Sequence, residues 1–90
     1  MLVKFFATFR QITKEKQFDY RGSAGNVKEL LEELSTIYGE NFRSMVFNGE
    51  ELSHQVIILV NGIHVAHLKG KDTELQPQDI VNIFPVLAGG

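Results

Sequence analysis

The 90-residue chain contains no cysteine, no tryptophan and only two prolines. Without a thiol it cannot build a disulfide framework, a thiolate zinc site, an iron–sulfur cluster or a cysteine nucleophile. That composition suits a reducing compartment, and the cytoplasm is the expected location. A surplus of one charge is also missing. Nine basic and eleven acidic residues give a formal net charge of −2 and a pI of about 5.9. A nucleic-acid module would show a basic stripe and a high pI, so no nucleic-acid partner is expected. Long apolar runs are absent as well. Charges at Lys4 and Arg10 interrupt the apolar N-terminus, so neither a signal peptide nor a membrane segment is expected.

What remains is the composition of an ordinary globule, 43% hydrophobic and 22% charged. A chain of this length forms one domain, burying about 60–65% of its unfolded surface around one modest core. Charge is unevenly placed along it. Residues 1–21 carry five basic and two acidic side chains, whereas residues 22–51 carry two basic and six acidic ones. Such a distribution describes either a normally solvated surface or an acidic helix face that steers towards a basic partner.

Residues 2–9 alternate with period two, placing Val3, Phe5, Ala7 and Phe9 on one side of an expected strand. A turn over Gln11–Lys16 then leads to a second strand over Gln17–Arg21. Asn26 reads as an N-cap with Glu29 three residues on, and Val27, Leu30, Leu31, Leu34, Ile37 and Tyr38 keep helical spacing. Gly39 is the expected stop. Within residues 40–54, Phe42, Met45, Val46 and Phe47 suit one short amphipathic turn, followed by a turn signal at Asn48-Gly49. Val56–Val60 is a continuous apolar run, as expected of a central strand buried on both faces. Asn61-Gly62 then predicts a tight hairpin into Ile63–Ala66. After a connector with a turn at Gln76–Asp79, Ile80–Phe84 is the last strand. Strands flanking one long helix predict an α+β sheet with the helix on one face.

The chain ends Phe84-Pro85-Val86-Leu87-Ala88-Gly89-Gly90. Pro85 lacks a backbone donor and should end the last strand. The five residues beyond it can span roughly 16–18 Å. Side-chain bulk falls from Leu87 through Ala88 to nothing at Gly89 and Gly90, so the tip suits a narrow channel that excludes branched residues. Residues 1–85 are thus expected as the folded domain and 86–90 as an extended tail. A Gly-Gly pair alone also fits an inert terminus.

The Asn61-Gly62 hairpin after Val56–Val60, Pro77, Asp79, and the ending Phe84-Pro85 … Ala88-Gly89-Gly90 resemble the ubiquitin-like sulfur carriers. The similarity covers essentially the whole chain and is nearest to the molybdopterin synthase small subunit (MoaD-like). The thiamine-pathway carriers are more distant. Many relatives carry two prolines after the Phe, whereas here Pro85 is followed by Val86-Leu87. That departure, with a segment 40–54 that looks like an insertion, leaves room for a paralogue serving tRNA thiolation or protein conjugation. The resemblance implies a β-grasp fold, a mixed sheet of about five strands on one long helix. It also implies a chain that is not an enzyme alone and binds no cofactor. An E1-like adenylyltransferase uses ATP to activate the Gly90 carboxylate, and a sulfur donor protein converts the acyl-adenylate to a thiocarboxylate. The molybdopterin synthase large subunit then receives the sulfur. Gly90 is the implied reactive residue and Gly89 the residue that lets the tail enter. The partner-binding residues expected beside them are Phe84, Pro85, Val86, Leu87, Ala88 and Phe6.

Alternation along the last strand turns Val81 and Ile83 towards the helix and Ile80, Asn82 and Phe84 to the opposite face. There Phe84 and Phe6 could meet Ile57 or Leu59 in a docking surface, unless residues 40–54 cover them. His54, His64 and His67 lack metal-ligand spacing, with His64 and His67 expected on opposite sides of a strand. Glu32 and Glu33 diverge around the helix and do not form an acid–base pair. The residues therefore point to a substrate-like carrier, with a ubiquitin-like modifier and a plain interaction domain as the other readings.

Overall fold

A computed structural model describes residues 1–87. A five-stranded mixed sheet has the order β2-β1-β7-β5-β6, built from β1 (Leu2–Phe5), β2 (Gln17–Asp19), β5 (Val56–Val60), β6 (Ile63–His64) and β7 (Ile80–Pro85). β1 and β7 run parallel, and the other neighbours are antiparallel. The long helix α2 (Val27–Tyr38) covers one face with the shorter helices α1 (Thr8–Thr13) and α3 (Glu40–Val46), and β3 (Phe47–Asn48) and β4 (Glu51–Leu52) form a separate hairpin. This is the α+β, β-grasp arrangement. No helix among the described residues is long and apolar enough to cross a membrane.

The helix α2 forms where its apolar spacing places it. Val27, Leu30, Leu31 and Leu34 are fully buried against the sheet. The Asn26 side chain accepts the Glu29 N–H at 2.9 Å, and Glu29 accepts the Gly25 N–H at 2.8 Å. The reciprocal cap therefore closes one residue earlier than the usual box. Gly39 ends the helix at φ 95°, a conformation that glycine adopts without strain.

Four local expectations give way to other structures. β1 stops at Phe5, because Ala7 turns the chain at φ 51° and Thr8–Thr13 then winds into α1. Phe9 still reaches the core, but with Thr13 as a helical i,i+4 pair rather than by strand alternation. Most of the expected turn over Gln11–Lys16 is thus α1 and its left-handed exit at Lys14. Residues 40–54 make a whole helix and a hairpin, and Phe42 lies fully buried edge-on to Phe5 and Phe9, at 6.1 and 5.7 Å. β5 is not buried on both faces: Val56, Ile58 and Val60 are in the core, whereas Ile57 and Leu59 are half-buried. Its second face belongs to the open side of the sheet. His64 and His67 do not diverge; a 3-10 turn over Val65–His67 brings their rings to 6.0 Å.

The Asn61-Gly62 turn forms with positive φ at both residues, 51° and 87°. Its side chain also ties the turn to the start of β7. Asn61 Nδ2 donates to Asp79 Oδ1, Asn61 Oδ1 accepts the Ile80 N–H, and Asp79 Oδ2 accepts the Gln76 N–H, all within 2.8–2.9 Å.

Two tyrosines brace the helix layer. Tyr20 Oη donates to Glu33 at 2.6 Å, and Tyr38 Oη donates to Glu15 at 2.7 Å. Burial first, and then these hydrogen bonds to carboxylates, hold both phenols above their ordinary pKa. The protonated phenols therefore favour the folded state. That stabilisation is complete below about pH 10 and declines as pH rises through the raised folded values. Absorbance titration should show both tyrosines ionising later than free tyrosine, and Tyr38→Phe should lessen the alkaline loss of stability. Ionisation of both at the free-tyrosine pKa would contradict this.

Candidate docking face and tail

The central strand β7 decides what reaches the open face of the sheet. Val81 and Ile83 are fully buried towards α2, so Ile80, Asn82 and Phe84 must point the other way. Across the ladders, Leu2 lies opposite Ile80, Lys4 and Leu59 flank Asn82, and Ile57 lies opposite Phe84. Phe6 follows β1 and its N–H donates to the Ile83 carbonyl at 3.1 Å, which brings it beside Phe84. The two rings stack with centroids 4.2 Å apart and planes 8° from parallel. The helix α3 of the segment 40–54 packs against α2 and α1, on the other side of the sheet from this pair.

Pro85 is the last residue of β7, as expected, although one more ladder hydrogen bond follows it. It pairs with Val56, and the Val86 N–H still donates to the Gln55 carbonyl at 2.9 Å. In this register residues 82, 84 and 86 bond towards β5, while 81, 83 and 85 face β1. The missing donor of Pro85 therefore points to the side where β1 has already ended. Proline is tolerated there, and the chain is carried one residue further along the sheet.

Past that point, Val86 and Leu87 stand 46% and 75% exposed, a large apolar surface at the root of the tail. With Ala7, Ile57, Phe84 and Pro85 they line an open groove of about 520 Å³. Of the residues expected to form the site, Phe6, Phe84, Pro85, Val86 and Leu87 are thus brought together. Ala88, Gly89 and Gly90 lie outside the described residues.

Two contributors were not singled out from the sequence. Ala7 enters the groove only because its positive φ ends β1, and no local residue pattern marks that bend. Arg10 was legible merely as a charge. Its Nε donates to the Phe5 carbonyl at 2.8 Å, and its guanidinium sits 5.3 Å from the Phe6 ring centre. It joins the aromatic pair because α1 turns it back over β1, as a strand continuing to Phe9 would not.

Chemically the face offers two aromatic rings, an apolar groove and cations, a set suited to binding. Among the described residues no group of three His, Cys, Asp or Glu could hold a metal ion.

The sequence matches the ThiS family over residues 3–90. Small archaeal modifier protein 3 of Haloferax volcanii is 36% identical over 89 residues, covering 98% of this chain and 96% of that protein. The solution structure of the Haloferax volcanii HVO 2177 protein has a TM-score of 0.86 at 33% identity, with 99% and 84% of the chains covered. A Pyrococcus furiosus protein provisionally named molybdopterin converting factor, subunit 1, has a TM-score of 0.76 at 34% identity, with 96% and 95% covered. With its β-grasp topology and near-complete match, the chain belongs to the ThiS family of ubiquitin-like sulfur carriers and modifiers.

Proposed function

We propose that this chain is a sulfur carrier that works through the carboxylate of Gly90. An E1-like enzyme adenylates that carboxylate with ATP, because a free carboxylate is a poor electrophile and AMP is a good leaving group. A sulfur donor then displaces AMP and leaves a thiocarboxylate. The sulfur passes to the pterin precursor bound by the molybdopterin synthase large subunit. Catalytic groups belong to the partners, and residues 86–90 act as the delivered tail, with Gly89 leaving room for entry. The observation that carries this reading is the course of β7, which runs past the Phe6–Phe84 pair to Pro85 and is followed by exposed Val86 and Leu87 ahead of Ala88-Gly89-Gly90.

A second reading has its own support. The 36% identical Haloferax relative is named a modifier protein, which suits joining the activated Gly90 to a lysine amine on a target. Both readings begin with adenylation and part at the second step. Incubating the chain with its host's E1-like enzyme, ATP and a sulfur donor separates them. A thiocarboxylate on Gly90 supports the carrier, and isopeptide-linked Gly90 at target lysines supports the modifier. No acyl-adenylate would contradict both.

A further inference from the structure

The helix layer carries both signs of charge, with Lys28 of α2 beside Glu32 and Arg43 of α3 over Phe47. On the helix side stand Glu29, Glu32 and Glu33 of α2 and Glu40 of α3. On the open face of the sheet the register places Lys4 beside Asn82, and Arg10 lies over Phe6. Asp19, across from Leu2, is the carboxylate which that register brings to the open face, and Arg21 already engages it at 2.8 Å. Among the described residues neither Lys4 nor Arg10 has a carboxylate within ion-pair distance.

Arg10 is also held in one orientation. A guanidinium carries five N–H donors in a planar fork. The bond from Nε to the Phe5 carbonyl uses one donor, and the guanidinium carbon lies 5.3 Å from the Phe6 ring centre. The terminal nitrogens are left to meet something else. Asn82 adds a second unmet group: its Oδ1 is buried without a hydrogen-bond partner, between Lys4 and Leu59 on the same face. An orphaned buried acceptor is uncommon in a folded protein.

We propose that Arg10 receives a carboxylate of the protein that docks on the open sheet face, while Phe6 and Phe84 take up an apolar side chain beside it. The fork of Arg10 matches two carboxylate oxygens, and its position beside an aromatic pair means that docking removes water from the ion pair. Apolar contact supplies affinity, and the charge supplies register and selection against basic surfaces. This inference deepens the carrier reading and rests on it for the identity of the first partner, the E1-like enzyme.

The test is steady-state adenylation of the purified full chain by its host's E1-like enzyme, with R10E and R10K beside wild type. Arg10 is exposed, so both variants should keep the wild-type thermal transition. For R10E, KM for the carrier should rise roughly tenfold or more, with kcat nearly unchanged, because the reacting carboxylate is untouched. Wild-type KM should rise with added salt, and R10E should lose most of that dependence. R10K supplies an amine for zero-length carbodiimide coupling, and its crosslinked peptides should join residue 10 to an Asp or Glu of the enzyme. Wild-type adenylation with an unaltered R10E KM would overturn the inference alone. So would R10K crosslinks that never include an enzyme carboxylate, or an R10E effect abolished by nuclease treatment. A wild-type chain that is not adenylated at all would overturn the carrier reading, and the inference with it.

Discussion

Deleting Gly90 will reduce adenylation to background while leaving thermal unfolding unchanged. Removing one residue shortens the reach of a chain by up to roughly 3.3–3.6 Å, which withdraws the carboxylate from where ATP is attacked. Misplacing a reacting group by about 1 Å can already lower a rate about a hundredfold. A loss of at least about a thousandfold in kcat/KM is therefore expected, and docking should survive because the Phe6–Phe84 face is intact. The fold should be indifferent, since the core residues lie within Val3–Ile83 and Leu87 is already 75% exposed. Pyrophosphate exchange measures the first effect and calorimetry the second. Activity of the shortened chain near the wild-type level would remove Gly90 from the chemistry.

The second large effect concerns a residue far from the tail. Phe42→Ala should destabilise the domain by about 3–5 kcal/mol, as expected for emptying a fully buried aromatic site. Phe42 is fully buried and meets Phe5, Phe9 and Tyr38 with ring centres 5.7–6.1 Å away. A domain of this size has about 5–15 kcal/mol in all, so the variant should melt roughly 15–30 °C lower and sit near its folding threshold. Urea unfolding gives the same quantity independently. A dispensable surface insertion would give a change within about 0.5 kcal/mol. Such a result would show that residues 40–54 are an appendage rather than part of the core.

These two residues mark where the sequence could and could not be read. α2 was legible because six apolar residues repeat at helical spacing between an Asn cap and a Gly stop. The Asn61-Gly62 turn was legible because few other residue pairs accept two positive φ values. Strand alternation put Phe84 on the outer face once Val81 and Ile83 turned inward, whereas its meeting with Phe6 depends on the parallel pairing of β1 and β7. α1 was not legible. Phe5 and Phe9 are four apart, a spacing that suits one face of a strand and one face of a helix equally. The bend at Ala7 that decides between them is imposed by packing, not by a residue with a turn preference. α3 is only seven residues long, too short for periodicity to distinguish it from a single turn. β5 was misread for a different reason. A continuous apolar run suits burial on both faces, but here Ile57 and Leu59 face the open side of the sheet and are only half-buried.

The site was legible to the same degree. Its outward Phe84 and tail root follow from pattern. Arg10 enters only through α1, so it could not be placed before that helix was. Under the proposed function the small domain would be a platform, with a sheet face for docking and the catalytic machinery left to its partners. Such a division suits a chain without a thiol, because the reactive sulfur would be carried on the last carbonyl carbon.

That central claim is most directly tested by the intact mass of the chain purified from its native host, under conditions that starve the downstream acceptor. The carrier function requires a fraction of molecules heavier by the difference between sulfur and oxygen, with fragmentation placing the change on Gly90. A population that keeps an unmodified Gly90 carboxylate throughout, or that carries Gly90 only in isopeptide links to lysine, would contradict it.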